Sequence, residues 1–240
     1  MKIAILGAGG KMGVMLCELS QAHLCEVVSR VDIREGFDLD ISPEVEGVID
    51  FSFHTAVPGF IAKAVEMEIP YVLGTTGLTD EEQKAVDEAS LKIPVVQSGN
   101  YSLGVNVLLG LVRKAAQALD KSYDIEIVEM HHRHKKDAPS GTALMLAKAA
   151  DEARGGDNPF VYGRVGQTGE RPVGEIALHS LRGGSVIGDH TVTFASELER
   201  VELVHKAQSR EAFAAGALKA LLWAKGRKAG KYSMLDVLGM

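Results

Sequence analysis

The amino-terminal stretch KIAILGAGGKMG, residues 2–13, joins a short apolar run to a glycine-rich turn. An amphipathic pattern follows, and strand, turn and helix in this order form the context in which such a turn binds a dinucleotide. The working glycines are Gly7, Gly10 and Gly13, because Met12 stands where the strict G-x-G-x-x-G spacing needs glycine. Glycines permit a tight turn, close backbone approach to a pyrophosphate and packing of the helix on the strand. We predict a dinucleotide site here, with an ordinary strand-to-helix turn as the alternative.

Short apolar runs alternate with helical patterns over residues 2–102. This alternation predicts a parallel sheet covered by helices and joined by right-handed crossovers. Residues 33–47 have no room for a full helix and are expected to form a loop or a single turn. The expected strands are Lys2–Leu6, Glu26–Asp32, Val48–Phe51, Tyr71–Leu73 and Val95–Gln97.

The pattern changes after residue 102. A helix is expected over 103–120 and a strand over 123–130, and three further strand-like runs lie near 174–182, 190–196 and 200–206. Consecutive strands without helices between them predict an antiparallel or mixed sheet. The fold class is therefore α/β: a Rossmann-like dinucleotide-binding domain with a parallel sheet, plus a second α+β domain with a mixed sheet.

A basic run lies at the end of the strand that starts this second part. Residues 129–143 read EMHHRHKKDAPSGTA, with six basic or imidazole side chains in succession from His131 to Lys136. Unpaired cations are costly to bury, so the run faces water or an anion. Ser140 can then cap a helix whose backbone N–H groups favour anions. The pattern predicts a carboxylate or phosphate site.

Two alternatives remain for this run. It could be a solvated surface turn, although the helix start that follows makes this less favourable. His131, His132 and His134 could instead bind zinc, but no cysteine pair or Glu-x-x-His partner accompanies them. We therefore predict no metal site.

Composition limits the class of protein. The 240 residues are 46% hydrophobic and carry a formal net charge of −6, which argues against nucleic-acid binding and favours a small anionic ligand. Cys17 and Cys25 have no ligand-like spacing, so we expect a reducing compartment, by default the cytoplasm. No signal segment is recognisable, and no apolar run reaches the roughly 18 residues of a membrane span. We expect no membrane partner.

Two features bear on the cofactor. Asp32 stands at the end of the second predicted strand, where a carboxylate can accept from the adenine ribose and favour NADH. Arg30 and Arg34 flank it and could pair with a 2′-phosphate, which leaves NADPH open. Residues 74–77, Gly-Thr-Thr-Gly, follow another strand and would allow close approach of the nicotinamide ring.

The chain resembles the dihydrodipicolinate reductase family, also called 4-hydroxy-tetrahydrodipicolinate reductase, over nearly its whole length. The resemblance rests on the glycine turn at 7–13, the loop at 74–77 and the motif E-x-H-H-x-x-K-x-D-A-P-S-G-T-A at 129–143. Residues 100–106 and 182–190 are similar to further stretches of the family. It implies a dinucleotide-binding domain of residues 1–102 plus 212–240, and a substrate-binding and oligomerisation domain of residues 103–211.

The resemblance also implies an activity in lysine biosynthesis by the diaminopimelate route. NADH or NADPH would reduce a small cyclic dicarboxylate, 4-hydroxy-tetrahydrodipicolinate, in a homotetramer. His131 and Lys135 would be catalytic, and which of them gives the proton is left open. His132, Ser140, Gly141 and Thr142 would hold a substrate carboxylate. The implied cofactor residues are Gly7, Gly9, Gly10, Lys11, Met12, Gly13, Asp32, Phe51, Gly74, Thr75, Thr76, Ser98, Asn100 and Tyr101.

Two rival functions are retained. Another two-domain nicotinamide enzyme, such as a semialdehyde or homoserine dehydrogenase, would use different residues. Aspartate-semialdehyde dehydrogenase needs a cysteine nucleophile, whereas Cys17 and Cys25 both lie in the first strand–helix unit. A non-catalytic NAD(P) sensor would leave the basic run unexplained.

Overall fold

The computed structural model describes residues 1–240 and contains eleven strands and seven α-helices. The strands are β1 (Lys2–Leu6), β2 (Glu26–Val31), β3 (Val48–Asp50), β4 (Tyr71–Leu73), β5 (Pro94–Gln97), β6 (Asp124–His131), β7 (Phe160–Tyr162), β8 (Ile176–Arg182), β9 (Asp189–Ala195), β10 (Arg200–Lys206) and β11 (Gly230–Tyr232). The helices are α1 (Lys11–Leu19), α2 (Val57–Glu66), α3 (Asp80–Ser90), α4 (Leu103–Ala118), α5 (Gly141–Ala153), α6 (Glu211–Ala224) and α7 (Met234–Leu238). None of these helices combines the length and apolar character needed to cross a bilayer.

The first of two compact units comprises Met1–Leu103 and Glu211–Met240. Its six strands form a parallel sheet in the order β11-β5-β4-β3-β1-β2. Strands β3 and β4 are buried at every residue, as expected where helices cover both faces of a parallel sheet. The strand order reverses at β1, and ligands of such sheets bind outside the carboxyl ends of the strands at this point.

The second unit comprises Gly104–Arg210 and contains a mixed five-stranded sheet in the order β10-β9-β6-β8-β7. Strand β8 runs parallel to both β6 and β7, whereas β9 is antiparallel to β6 and β10. The central strand β6 alternates strictly, with Ile125, Ile127, Glu129 and His131 on the buried face. The predicted fold class is confirmed.

Three short elements were not expected from the sequence: β7, β11 and α7. Each has only three to five residues, too few to display a period of 2 or 3.6. Strand β11 extends the first sheet beside β5, so the chain after α6 adds a strand as well as a helix to this unit. Residues 33–47 contain no helix or strand and form only an isolated bridge between Val31 and Asp38.

Candidate active site

The glycine-rich turn after β1 requires glycine at two positions. Gly7 has φ +75°, and a Cβ there would lie 2.4 Å from the carbonyl oxygen of Phe51. A Cβ on Gly13 would lie 2.2 Å from the carbonyl oxygen of Gly7, so helix α1 packs directly on the turn. The N-cap residue Gly10 makes no side-chain cap. The first N–H groups of α1 therefore suit an anion such as a pyrophosphate.

Asp32 and Arg34 hold this turn from one side. The Asp32 side chain is 8% exposed, and its Oδ2 accepts from the backbone N–H of Gly9 at 2.9 Å. Its Oδ1 accepts from the backbone N–H of Arg34 at 3.1 Å, while the Arg34 guanidinium donates to the Gly9 carbonyl. Arg30 instead stacks on Phe37, 5.4 Å from the ring centroid. Of the two flanking arginines, Arg34 is the one beside the turn.

A cavity of about 350 Å³ opens at this turn. Asp32 and Arg34 form a polar part of its wall, and Leu39, Phe53 and Phe60 contribute an apolar part. A nucleoside combines a flat, largely apolar base with ribose hydroxyls, so this wall and the uncapped helix start fit a dinucleotide.

The loop that follows β4 is tied to the buried carboxyl group of Asp50. Thr75 donates from Oγ1 to Asp50 Oδ1 at 2.9 Å. Ser52 donates to the same oxygen from its backbone N–H at 2.8 Å and from Oγ at 2.6 Å. Asp50 therefore joins the ends of β3 and β4, where the nicotinamide half is predicted to bind.

Phe51 lies against this loop because residue 74 is glycine. A Cβ on Gly74 would lie 2.3 Å from the Phe51 ring. The rings of Phe51 and Tyr101 meet edge to face with centroids 5.7 Å apart. Tyr101 was also predicted as a cofactor residue. It is buried and its hydroxyl group donates to backbone carbonyls of β4 and β5, so it can act at the cofactor only by supporting Phe51. Thr76 is exposed beside a second cavity of about 300 Å³, which Phe51 and Gly74 also line.

The other predicted cofactor residues lie in the turn after β5 and at the start of α1. Ser98 donates from Oγ to the Asn100 carbonyl at 2.7 Å, and Asn100 Oδ1 accepts from the Ser102 backbone at 2.8 Å. These contacts shape the turn between β5 and α4. Lys11 is exposed at the start of α1, whereas Met12 packs on the hydrophobic core.

In the second unit, a buried carboxylate organises the predicted catalytic histidine. Glu129 is fully buried, and both of its oxygens accept from Arg182 at 2.8 Å. Glu129 Oε2 also lies 2.5 Å from His131 Nδ1. Burial alone would raise the pKa of Glu129, but the hydrogen bonds from Arg182 and His131 outweigh it and lower the pKa to about 2. Glu129 is therefore an anion at neutral pH.

The predicted anion-binding helix start lies beside this group. Ser140 is the N-cap of α5, as expected, and its Oγ accepts from Ala143 at 3.2 Å. The Ser140 hydroxyl also contacts His190 Nε2 at 3.2 Å, and its backbone N–H donates to Glu129 at 3.1 Å. Since Ser140 is 2% exposed and already bonded at these atoms, the first turn of α5, with Gly141 and Thr142, is the better surface for a carboxylate.

Among the basic and imidazole side chains at the loop between β6 and α5, Lys135 and His132 have defined partners. Lys135 Nζ lies 2.9 Å from Asp137 Oδ2. Arg210 donates to His132 Nε2 at 3.2 Å, while the buried His132 Nδ1 has no hydrogen-bond partner in the chain. Burial, followed by the charges of Arg210 and His134, lowers the pKa of His132. His132 is thus neutral at neutral pH, and Lys135 and Arg210 are among the positive charges near it.

Known proteins match this chain along its whole length. The family model for the N-terminus of dihydrodipicolinate reductase matches residues 1–101, and the model for its C-terminus matches residues 104–238. The chain belongs to the dihydrodipicolinate reductase family. A relative from Caldanaerobacter subterraneus subsp. tengcongensis, a 4-hydroxy-tetrahydrodipicolinate reductase, is 45% identical over 99% of this chain and 98% of its own length. The reductase of the same name from Akkermansia muciniphila is 47% identical over the same shares.

A solved structure is also similar. The dipicolinate-bound dihydrodipicolinate reductase from Paenisporosarcina sp. TG-14 aligns with a TM-score of 0.80 at 22% identity, over 98% of both chains. The family predicted from the sequence is confirmed. A nicotinamide cofactor is supported as a class, whereas the choice between NADH and NADPH belongs to the proposals below.

The dihydrodipicolinate reductase fold brings Arg182, Asp50 and Arg210 to these groups, although sequence reasoning gave them no role. Asp50 could have been noticed as a carboxylate ending a wholly apolar strand. Arg182 and Glu129 are 53 residues apart and become neighbours through the pairing of β6 with β8, which sequence periodicity does not reveal.

No group of three or more histidine, cysteine, aspartate or glutamate side chains is arranged to hold a metal ion. His131 contacts Glu129, and the rings of His132 and His134 are 6.1 Å apart between centroids. The absence of a metal site stays a prediction.

Proposed function

We propose that this chain reduces 4-hydroxy-tetrahydrodipicolinate to tetrahydrodipicolinate with NADH or NADPH. When bound, the reduced nicotinamide supplies a hydride. The observation that carries the proposal is the basic loop, residues 131–136, together with the start of α5 in the second unit. These features lie in a chain whose residues 1–101 and 104–238 match the two family models of the reductase. A cofactor-binding sensor would have no use for such a cluster.

A dicarboxylate suits the second unit. Lys135 and Arg210 supply charge, and the first turn of α5 supplies backbone N–H groups directed at an anion. The similar solved reductase is dipicolinate-bound, and dipicolinate is a planar ring with two carboxylates. The shared feature is a small cyclic dicarboxylate.

His131 and Lys135 have separate roles in the step that follows hydride transfer. The 4-hydroxyl group of the substrate leaves as water, which gives a conjugated cyclic imine. Hydride addition to this imine leaves negative charge that a nearby cation stabilises and an acid quenches. Lys135 serves as the cation, while His131 gives the proton from Nε2, because Nδ1 lies 2.5 Å from Glu129 Oε2 and is occupied by this contact. Asp137 orients Lys135 between turnovers.

Replacing Lys135 tests this assignment. Lys135→Ala is expected to lower kcat on the order of 10²- to 10⁴-fold while leaving NADH affinity unchanged, because Lys135 lies in the second unit. Lys136→Ala is the matched control, one residue away and equally basic, and should keep kcat within about twofold. Steady-state kinetics and NADH fluorescence titration measure both quantities. Retained turnover in Lys135→Ala would remove Lys135 from the mechanism.

For the cofactor, we propose use of both NADH and NADPH, with Asp32 favouring NADH. Asp32 can accept from a ribose hydroxyl, and Arg34 beside it can pair with a 2′-phosphate. Asp32→Ala should weaken the binding of NADH roughly fivefold more than the binding of NADPH. A roughly fivefold change in affinity corresponds to the loss of one hydrogen bond. Equal losses in cofactor titrations would contradict this role.

We also propose a homotetramer built through the second unit. Leu181 of β8 and Val204 of β10 are each half exposed and lie on the sheet face opposite Glu129. Exposed apolar residues on a sheet face favour association. Light scattering should give four times the chain mass of 25.7 kDa, and a monomer would contradict the proposal.

A further inference from the structure

Glu129 makes contacts that an isolated structural ion pair would not need. Its carboxylate is fully buried, and the Arg182 guanidinium donates one hydrogen bond to each of its two oxygens. The same two oxygens also accept from His131 Nδ1 at 2.5 Å and from the Ser140 backbone N–H at 3.1 Å. One carboxylate thus holds the candidate acid and the start of the candidate anion-binding helix.

The orientation of the His131 ring follows from this arrangement. An ionised carboxylate only accepts hydrogen bonds, so Nδ1 must carry a hydrogen in both protonation states of the ring. Nε2 is then the nitrogen that gains and loses a proton. Nε2 faces Gly188, where a Cβ would lie 3.0 Å from it, so the absence of a side chain at residue 188 keeps this side of the ring open.

We propose that Glu129 is a positioning residue that holds His131 as the Nδ1–H tautomer and ties it to the start of α5. The inference rests on the proposed function only for the role of Nε2 as proton donor. In the reduction, protonated His131 gives the Nε2 proton to the substrate and becomes the neutral Nδ1–H form, while Glu129 stays ionised. Arg182 keeps Glu129 in place and also donates to the Asp137 carbonyl at 2.7 Å, which anchors the basic loop.

The first arm of the test uses the unmodified full chain. Long-range ¹H–¹⁵N spectra of the histidine rings distinguish protonated from bare ring nitrogens, and the His131→Gln spectrum assigns the His131 signals. At a pH where His131 is neutral, we expect a protonated Nδ1 and a bare Nε2. The opposite tautomer would overturn the proposal, whether or not the chain is a reductase. This arm therefore separates failure of the inference from failure of the proposed function.

The second arm compares two glutamates on the same strand. Glu129→Gln should lower kcat on the order of 10²- to 10⁴-fold, the range known for loss of a tautomer-holding carboxylate or of an acid, with unchanged KM for NADH. Glu126→Gln is the matched control, since Glu126 also contacts a histidine, His179 at 2.7 Å, but lies on the opposite face of β6. It should keep both kcat and the His131 tautomer.

Glu129→Asp separates positioning from folding. It keeps a carboxylate with a shorter reach, so we expect the Nδ1–H tautomer and a kcat above that of Glu129→Gln. A merely structural role of Glu129 would lower thermal stability in both Glu129 variants without moving the His131 ring signals. Unchanged ring signals in Glu129→Gln, with kcat within threefold of the unmodified chain, would overturn the proposal.

Discussion

Two carboxyl groups are fully buried in this molecule, and they are stabilised in different ways. Asp50, in the first unit, accepts only from neutral donors: the hydroxyl groups of Tyr71, Thr75 and Ser52 and one backbone N–H. Glu129, in the second unit, accepts from the Arg182 guanidinium, from a histidine and from a backbone N–H. The Arg182 cation lies where an acid and an anionic substrate are proposed, whereas the neutral network around Asp50 holds a loop proposed to contact the nicotinamide ring.

The two units also differ in how the ionisation state of a buried group is set. In the first unit, burial, followed by the negative charge of Asp50, raises the pKa of Tyr71 well above its ordinary range, so Tyr71 remains a hydrogen-bond donor. In the second unit, opposite charges outweigh burial and keep Glu129 ionised. A hydrogen-bonded neutral network fixes a backbone, while a charged one also fixes the protonation pattern of a neighbouring ring.

The largest expected effect comes from removing the cation. Arg182→Met leaves the buried Glu129 without its guanidinium partner, and the free energy of unfolding should fall by about 3 kcal/mol. Arg182→Lys keeps the charge but loses the two-pronged contact, so its loss should be smaller. Urea unfolding of the two variants measures the difference. A loss in Arg182→Met no greater than in Arg182→Lys would mean that charge does not stabilise Glu129.

The second effect is a pH dependence of the unfolding free energy that arises from two buried groups of the second unit, Glu129 and His190. The pKa of Glu129 falls from 4.5 to about 2 in the fold, so its contribution is complete above about pH 4.5 and is lost as pH falls through 2. Burial and the charge of His131 lower the pKa of His190 from 6.5 to about 4, so stability also declines as pH falls from 6.5 to 4. In each of these two pH ranges the free energy of unfolding should change by up to about 3 kcal/mol.

Urea unfolding between pH 7.5 and 2.5 resolves the two windows. Glu129→Gln should flatten the lower window and leave the upper one, and His190→Gln should do the reverse. If neither substitution changes the slope in its own window, the buried groups are not the source of the pH dependence.

The smallest effect concerns the neutral network. Tyr71→Phe removes one hydroxyl donor from Asp50 and should cost about 1–3 kcal/mol of unfolding free energy. Tyr123→Phe is the control, because the Tyr123 hydroxyl also donates to a carboxylate, Glu199 at 2.5 Å, but at the surface. Its loss should be smaller. Equal losses in denaturant unfolding would show that burial adds nothing to the Asp50 contacts.

The sequence was informative where function depends on neighbours along the chain. The turn at Gly7–Gly13, the strand β1 and the N-cap at Ser140 follow from local patterns and were predicted. Two partners of these carboxylates, Tyr71 of β4 and Arg182 of β8, lie 21 and 53 residues away from Asp50 and Glu129 and could not be predicted without the strand order. The roles given to His131, Lys135 and the cofactor residues stay predictions until variants are assayed.

The most direct measurement is oxidation of NADH and NADPH by the purified chain, with the substrate made fresh from pyruvate and aspartate semialdehyde by the preceding synthase. We predict turnover that appears only when the synthase and both of its substrates are present, with both cofactors accepted. Tight cofactor binding without synthase-dependent turnover would contradict the reductase function and favour a cofactor-binding sensor.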